Sequence, residues 1–208
     1  MNLIFDFDGT LVDSMPVWAG VHINMLKSHG IEVPEGFVET ITPLGNRKAS
    51  EYTIKLGVNL SLSEYIEKAN EIFCYEYLNN VPLKENVKDF LNSAHMAGHT
   101  LSVLTASPHL YVDDCLKKLG VYSLFSKVWT IEDFNLTKAQ PEIYVEAAER
   151  LGTVISDCVF FDDNLTAIKT AASAGMKTVG VYDDSSRSYK AQIEKIADYY
   201  ITEYPKEI

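Results

Sequence analysis

The stretch Leu3-Ile4-Phe5-Asp6-Phe7-Asp8-Gly9-Thr10 decides the fold. Leu3 to Phe7 is short, mostly apolar and rich in strand formers, and Gly9-Thr10 breaks it. Such a run fits a strand buried on both faces, as in a parallel sheet. Asp6 and Asp8 stand at i and i+2 of this strand and are expected to project to one side. Two ionised carboxylates about 4 Å apart repel by roughly 4 kcal/mol at a moderate effective dielectric. The pair is therefore either two exposed acids at a strand end or a site that needs a cation or a shared proton.

Outward from that strand the pattern changes twice. From Ser14 to about Val81 it is helical. Ser14 with Pro16 opens a helix running to about Ser28, a second fits Arg47 to Leu56, and Ser61-Leu62-Ser63-Glu64 has capping-box spacing before a third. After Val81-Pro82 helices and strands alternate. Helices fit Glu85–Ala97, Ser107–Lys118, Pro141–Leu151 and Leu165–Ala174. Strands fit Leu101–Thr105, Val128–Thr130, Cys158–Phe161, Lys177–Val181 and Tyr199–Ile201. Strand and helix alternating at this rhythm implies right-handed βαβ units. The expected fold class is α/β, a Rossmann-like parallel sheet core with helices on both faces. Residues 1–14 and 82–208 form that core, and residues 15–81 are an inserted small all-α domain.

Composition narrows the partners. The chain has 208 residues, 18 Lys plus Arg against 29 Asp plus Glu, and a formal charge of −11. That balance argues against a nucleic acid polymer as partner, which calls for a basic patch. An anionic substrate would need a metal or a few placed cations. No run reaches about 20 apolar residues, so no membrane span is expected. The N-terminus enters its strand directly, with no basic segment before an apolar run, and is not read as a signal peptide. Cys74, Cys115 and Cys158 are an odd count without CxxC spacing. They read as free thiols of a cytoplasmic protein.

Four clusters fall at predicted C-terminal strand ends, the edge where open parallel sheets bind ligands. Asp6-Phe7-Asp8-Gly9-Thr10 is the first and Phe160-Phe161-Asp162-Asp163-Asn164 the second. Asn164 reads as a helix cap, and the two adjacent acids either suit the helix dipole or join the first cluster. Two acidic clusters can form one oxygen-rich site of the kind Mg²⁺ prefers. Thr105-Ala106-Ser107-Pro108 carries a strand into a helix N-terminus, an anion site, with Thr105 as the contact and Ser107 mainly the cap. Lys138, ahead of Pro141, is either a solvated lysine or the fixed cation of an acidic, phosphate-loaded site.

Together these clusters resemble the haloacid dehalogenase superfamily in its phosphatase branch with a helical cap, the group of β-phosphoglucomutase and phosphoglycolate phosphatase. The resemblance covers essentially the whole length. Asp6-Phe7-Asp8-Gly9-Thr10-Leu11-Val12-Asp13-Ser14 is similar to the DxDGT signature. Thr105 resembles the hydroxyl motif after the second core strand. Lys138, Pro141 and Tyr144 resemble the KPxPxxY-type motif, with Ala139 where a proline usually follows the lysine. Asp162-Asp163-Asn164 resembles the acidic metal motif, and Ala167 stands where some relatives carry a further acid.

The resemblance implies a role for each position. Asp6 becomes the nucleophile and Asp8 the general acid and base. Mg²⁺ would be held by Asp6, the Asp8 backbone carbonyl and Asp163, with Asp162 a second, water-mediated ligand. Thr105, the Ala106 N–H and Lys138 would bind the transferring phosphoryl oxygens. The residue 15–81 insert becomes a cap that reads the leaving group of a small phosphorylated metabolite. An acid two residues after the nucleophile points to phosphoryl transfer rather than dehalogenation. Family sugar phosphomutases carry a histidine near the start of the cap, where this chain has Trp18, and a Gly-x-Ser-Arg-like loop, where it has Gly45-Asn46-Arg47-Lys48. Trp18 either faces substrate or packs in the cap, and Arg47 and Lys48 either bind a second anionic group or are solvated. The expected activity is Mg²⁺-dependent hydrolysis of a small phosphate monoester through an aspartyl-phosphate. The alternatives are a mutase of the same family and a non-catalytic phosphate-binding regulator.

Overall fold

The first apolar run forms β1 (Asn2–Phe5), and five further strands complete a sheet in a computed structural model that describes residues 1–206. They are β2 (Thr100–Thr105), β3 (Phe125–Thr130), β4 (Cys158–Asp162), β5 (Lys177–Val181) and β6 (Tyr199–Ile201). The order is β3-β2-β1-β4-β5-β6 and every adjacent pair is parallel. β1 lies between β2 and β4 with Phe5 level with Val103 and Phe161. Strand order reverses at β1 and β4, which creates a crevice beyond their C-terminal ends.

The core face of each strand follows the pleat. Ile4, Leu104 and Phe160 point to one face, where they pack with Ile143, Tyr144 and Ala147 of α7 (Glu142–Arg150) and Ala167 and Ala171 of α8 (Leu165–Ser173). Phe5 and Phe161 point to the other, stacked with centroids 4.6 Å apart. Phe90 of α5 (Val87–Met96) meets both rings edge-on at 6.2 and 5.9 Å. Such aromatic pairs are each worth about 0.5–1.5 kcal/mol beyond burial. α6 (His109–Lys118) buries Val112, Cys115 and Leu116, and α9 (Lys190–Ile196) buries Ile193.

The chain divides into two compact units, Met1–Asp13 with the chain from Pro82 onward, and Ser14–Val81. The second holds α1 (Met15–Ser28), α2 (Phe37–Ile41), α3 (Gly45–Lys55) and α4 (Leu62–Asn79). Tyr65, Ala69, Phe73 and Tyr77 recur every four residues along α4 and form its buried face. They pack with α1, which buries Trp18, Val21, His22, Met25 and Leu26, and with α3, which buries Ala49, Ser50 and Thr53. The Ser61–Glu64 capping box forms in both directions. Pro16 lies in the first turn of α1, as its fixed φ favours.

Three local expectations change. β1 ends at Phe5 rather than Phe7, because the Leu11 and Val12 N–H groups both donate to the Phe7 carbonyl and turn the chain. α2 and α9, with five and seven residues, are too short to show a helical period. Pro108 rather than Ser107 caps α6, and the Ser107 side chain is used elsewhere. Among the described residues no helix is long and apolar enough to cross a membrane.

Candidate active site

β1 and β4 deliver their acids to one point. The Asp6 N–H donates to the Phe161 carbonyl at 2.8 Å, so the residue after β1 stays in register with the end of β4. Asp6, Asp162 and Asp163 are all buried, and each offers an oxygen within 4.8 Å of the others. Lys138 Nζ lies 2.7 Å from Asp6 Oδ1 and 2.8 Å from Asp162 Oδ2, with its side chain 13% exposed. The contact to Asp6 is an ion pair out of line for a directed hydrogen bond. The Lys138 backbone is itself held, since the Tyr144 hydroxyl donates to its carbonyl at 2.9 Å and toward the Ala167 carbonyl at 3.2 Å.

Three buried carboxylates facing one ammonium leave the cluster too negative for its surroundings. Burial, reinforced by the Asp162 charge and opposed by Lys138, pushes Asp6 up to about 6. Burial and the charges of Asp162, Asp6 and Asp183 hold Asp163 well above the ordinary carboxylate range. Burial alone would lower Lys138, but Asp162 and Asp6 outweigh it and raise the ammonium further above its usual range. Asp162, at the end of β4, thus adds to the pressure of burial on Asp6. Asp8 is held after the turn at Phe7 by Ser107, whose hydroxyl donates to Asp8 Oδ2.

The Asp8-Gly9-Thr10 turn fits tightly on Asp163. Thr10 Oγ1 donates to Asp163 Oδ1 at 3.1 Å and accepts from the Asp163 N–H at 3.2 Å. Gly9 has φ +71°, and a Cβ there would stand 2.9 Å from the Asp163 carboxylate. Both the left-handed backbone and the missing side chain are required at this position. Asn164 caps α8 through the N–H groups of Thr166 and Ala167, and its own N–H donates to Asp162 Oδ1 at 2.7 Å. Both Asp162 oxygens are thus engaged, by Lys138 and by Asn164.

Thr105 is buried at the end of β2 and its hydroxyl accepts from the Ser107 N–H at 3.0 Å, while Ala106 is exposed. The hydroxyl proton is left to donate to an anion. Trp18, Arg47 and Lys48 belong to the helical unit. Trp18 is buried with its ring 4.9 Å from that of His22, Arg47 is exposed and pairs with Glu51 at 3.3 Å, and Lys48 is exposed. Sequence reasoning missed two site-adjacent contacts. Ser107 carries a cap signature that hides its bond to Asp8, and Lys84, a lone lysine after Leu83, gives no local signal at all.

The profile of the haloacid dehalogenase-like hydrolases matches residues 3–181. A phosphoglycolate phosphatase of Psychrobacter arcticus is 28% identical over 188 residues, which is 86% of this chain and 82% of that protein. A phosphorylated carbohydrates phosphatase of Thermotoga maritima is 25% identical over 197 residues, 92% of this chain and 89% of its own. The crystal structure of CbbY from Rhodobacter sphaeroides in complex with phosphate shares the fold, with a TM-score of 0.81 at 19% identity over 97% of this chain and 93% of that one. The profile match takes in both strand ends that carry the acids and the lysine between them, and the chain belongs to the haloacid dehalogenase-like hydrolase family.

Proposed function

We propose that the protein is a Mg²⁺-dependent phosphatase that hydrolyses a small phosphate monoester, with Asp6 as nucleophile. The clustering of Asp6, Asp162 and Asp163 around Lys138 at the ends of two adjacent parallel strands carries this reading. The donor set fits the metal, because it is all carboxylate oxygen, buried, and more negative than one lysine balances. Asp6, Asp163 and the Asp8 carbonyl would hold the ion. Asp162 suits an outer, water-mediated place, since both its oxygens are engaged. Bound there, the ion would neutralise charge on the phosphoryl oxygens and on the acid cluster.

The chain's own residues perform the transfer. The Asp6 carboxylate attacks phosphorus, the bond to the leaving oxygen breaks, and Asp8 gives that oxygen a proton. Asp8 then takes a proton from the water that attacks the aspartyl-phosphate, and inorganic phosphate departs. The Thr105 hydroxyl, the Ala106 N–H and Lys138 bind the transferring oxygens as charge develops on them. Ser107 orients Asp8 for both proton transfers through its hydrogen bond.

The helical unit, residues 15–81, is read as a cap that recognises the leaving group. Arg47 and Lys48 are exposed cations suited to a second anionic group, whereas the burial of Trp18 supports a packing role. Relatives named as phosphatases of phosphoglycolate and of phosphorylated carbohydrates support a small phosphorylated metabolite as substrate. Among the described residues Cys74, Cys115 and Cys158 form no disulfide, which supports a reducing compartment, the cytoplasm. Phosphate release from p-nitrophenyl phosphate, phosphoglycolate and a series of sugar phosphates, with Mg²⁺ or with chelator, tests the reading. Release that requires Mg²⁺ is expected. Isomerised sugar phosphate with little free phosphate would mean a mutase, and no turnover on any substrate a non-catalytic regulator.

A further inference from the structure

We infer that Lys84 is a positioning residue that fixes the Asp8-Gly9-Thr10 turn, an inference that rests on the phosphatase reading for its kinetic consequence alone. Lys84 follows the point where the chain re-enters the sheet unit at Pro82. There Val12 bridges Leu83, the Asp13 N–H donates to the Pro82 carbonyl at 3.0 Å, and the Lys84 N–H donates to the Leu11 carbonyl at 3.0 Å. The backbone at Lys84 is thus tied to the segment that follows the turn.

Its ammonium reaches further. Lys84 Nζ donates to the Gly9 carbonyl at 2.7 Å, to the Tyr182 carbonyl at 2.6 Å and to Asp183 Oδ2 at 2.9 Å. An ammonium has three donors and no acceptor, so all its capacity is used. The side chain is 18% exposed and that of Asp183 6%. Asp183 is fixed in turn, its Oδ1 accepting from the Ser185 N–H at 2.9 Å and hydroxyl at 2.6 Å. The turn after β1 is thereby joined to the segment after β5 through one half-buried ammonium.

The placement at Gly9 gives this lysine its role. Asp163 packs so closely on Gly9 that no Cβ would fit. Lys84 holds the carbonyl of the same residue. The Gly9–Thr10 peptide is therefore held through two independent contacts, and it separates the Asp8 carboxyl from the Thr10 hydroxyl that grips Asp163. Without the ammonium, two carbonyls and a buried carboxylate lose their donor and the turn loses a restraint. Asp8 would still be present but less precisely aimed, and small misplacements of catalytic groups cost up to about a hundredfold in rate.

Lys84→Met, Lys84→Arg and Asp183→Asn, compared with the unaltered chain, test this by p-nitrophenyl phosphate kinetics and by hydrogen exchange. The exchange probes are the Gly9, Leu11 and Val12 amides, which close the turn onto Val12 and Phe7. In Lys84→Met we expect these amides to exchange at least about tenfold faster with β2 unchanged. We expect kcat to fall at least about tenfold with KM within about twofold, and Lys84→Arg to recover most of kcat. Asp183→Asn keeps Lys84 on both carbonyls and should retain kcat within about threefold. A folded Lys84→Met with unchanged exchange and unchanged kcat overturns the inference. So does an Asp183→Asn that loses kcat as fully as Lys84→Met, the comparison with Lys84→Arg deciding if Lys84→Met does not fold. An unaltered chain inactive on every phosphate ester would instead sink the phosphatase reading, and the exchange result would stand by itself.

Discussion

Thr10 and Asp163 hold each other twice, the hydroxyl donating to the carboxylate at 3.1 Å and accepting from the backbone N–H at 3.2 Å. One side chain thus orients both the main chain and the carboxylate of an acid 153 residues away. Thr10→Val keeps the shape and removes both bonds. Outer partners of metal ligands are typically worth about 10–100-fold in metal affinity. The expected result is a rise of that size in the Mg²⁺ concentration for half-maximal activity. Urea unfolding should show a loss of about 1–3 kcal/mol for the unsatisfied buried groups. Thr10→Ser should keep the metal affinity near its original value.

Lys138→Met asks what a lone buried cation is worth among acids. The ammonium contacts Asp6 and Asp162 at 2.7 and 2.8 Å. Removing one partner of a buried ion pair leaves uncompensated charge and costs about 3–5 kcal/mol. Urea unfolding without metal should show a loss of that order, and added Mg²⁺ should recover part of it. The kcat should fall about 100–1,000-fold through the lost contact to phosphoryl oxygens.

His22 supplies a pH dependence of stability in the helical unit. Its Nδ1 is 2.8 Å from the Tyr65 hydroxyl, and its Nε2 is buried without a hydrogen-bond partner. Burial pushes the imidazole from 6.5 down to about 4. The unfolded chain therefore binds the proton first as pH falls. Stability is complete above the unfolded value, near 6.5, and is lost progressively toward about 4. Between pH 7 and 4.5 this one group should remove about 2–3 kcal/mol. Urea unfolding of the protein and of His22→Gln at the two pH values checks it. The variant should lose less stability on acidification by that amount.

The fold was legible because its signals are local and periodic. Leu3–Phe7, Leu101–Thr105 and Cys158–Phe161 read as strands on composition alone, and the capping-box spacing of Ser61–Glu64 read as a helix start, where the box forms. The acids were legible for the same reason, since a carboxylate directly after an apolar strand has few places to go. Contacts between distant segments were not. The Ser107 hydroxyl holds Asp8 across a turn that the strand reading of Leu3–Phe7 does not show. Ser107 before Pro108 carries a cap signature that competes with its true partner 99 residues away. Lys84 makes contacts 75 to 99 residues distant and leaves no trace in the residues beside it.

The central claim is that Asp6 attacks phosphorus. Phosphate release from p-nitrophenyl phosphate by Asp6→Asn, at saturating Mg²⁺ and relative to the unaltered chain, tests it most directly. Loss of a nucleophile should lower kcat by at least about 1,000-fold in a protein that unfolds like the original. A folded Asp6→Asn that still releases phosphate within about tenfold of the original rate would contradict it.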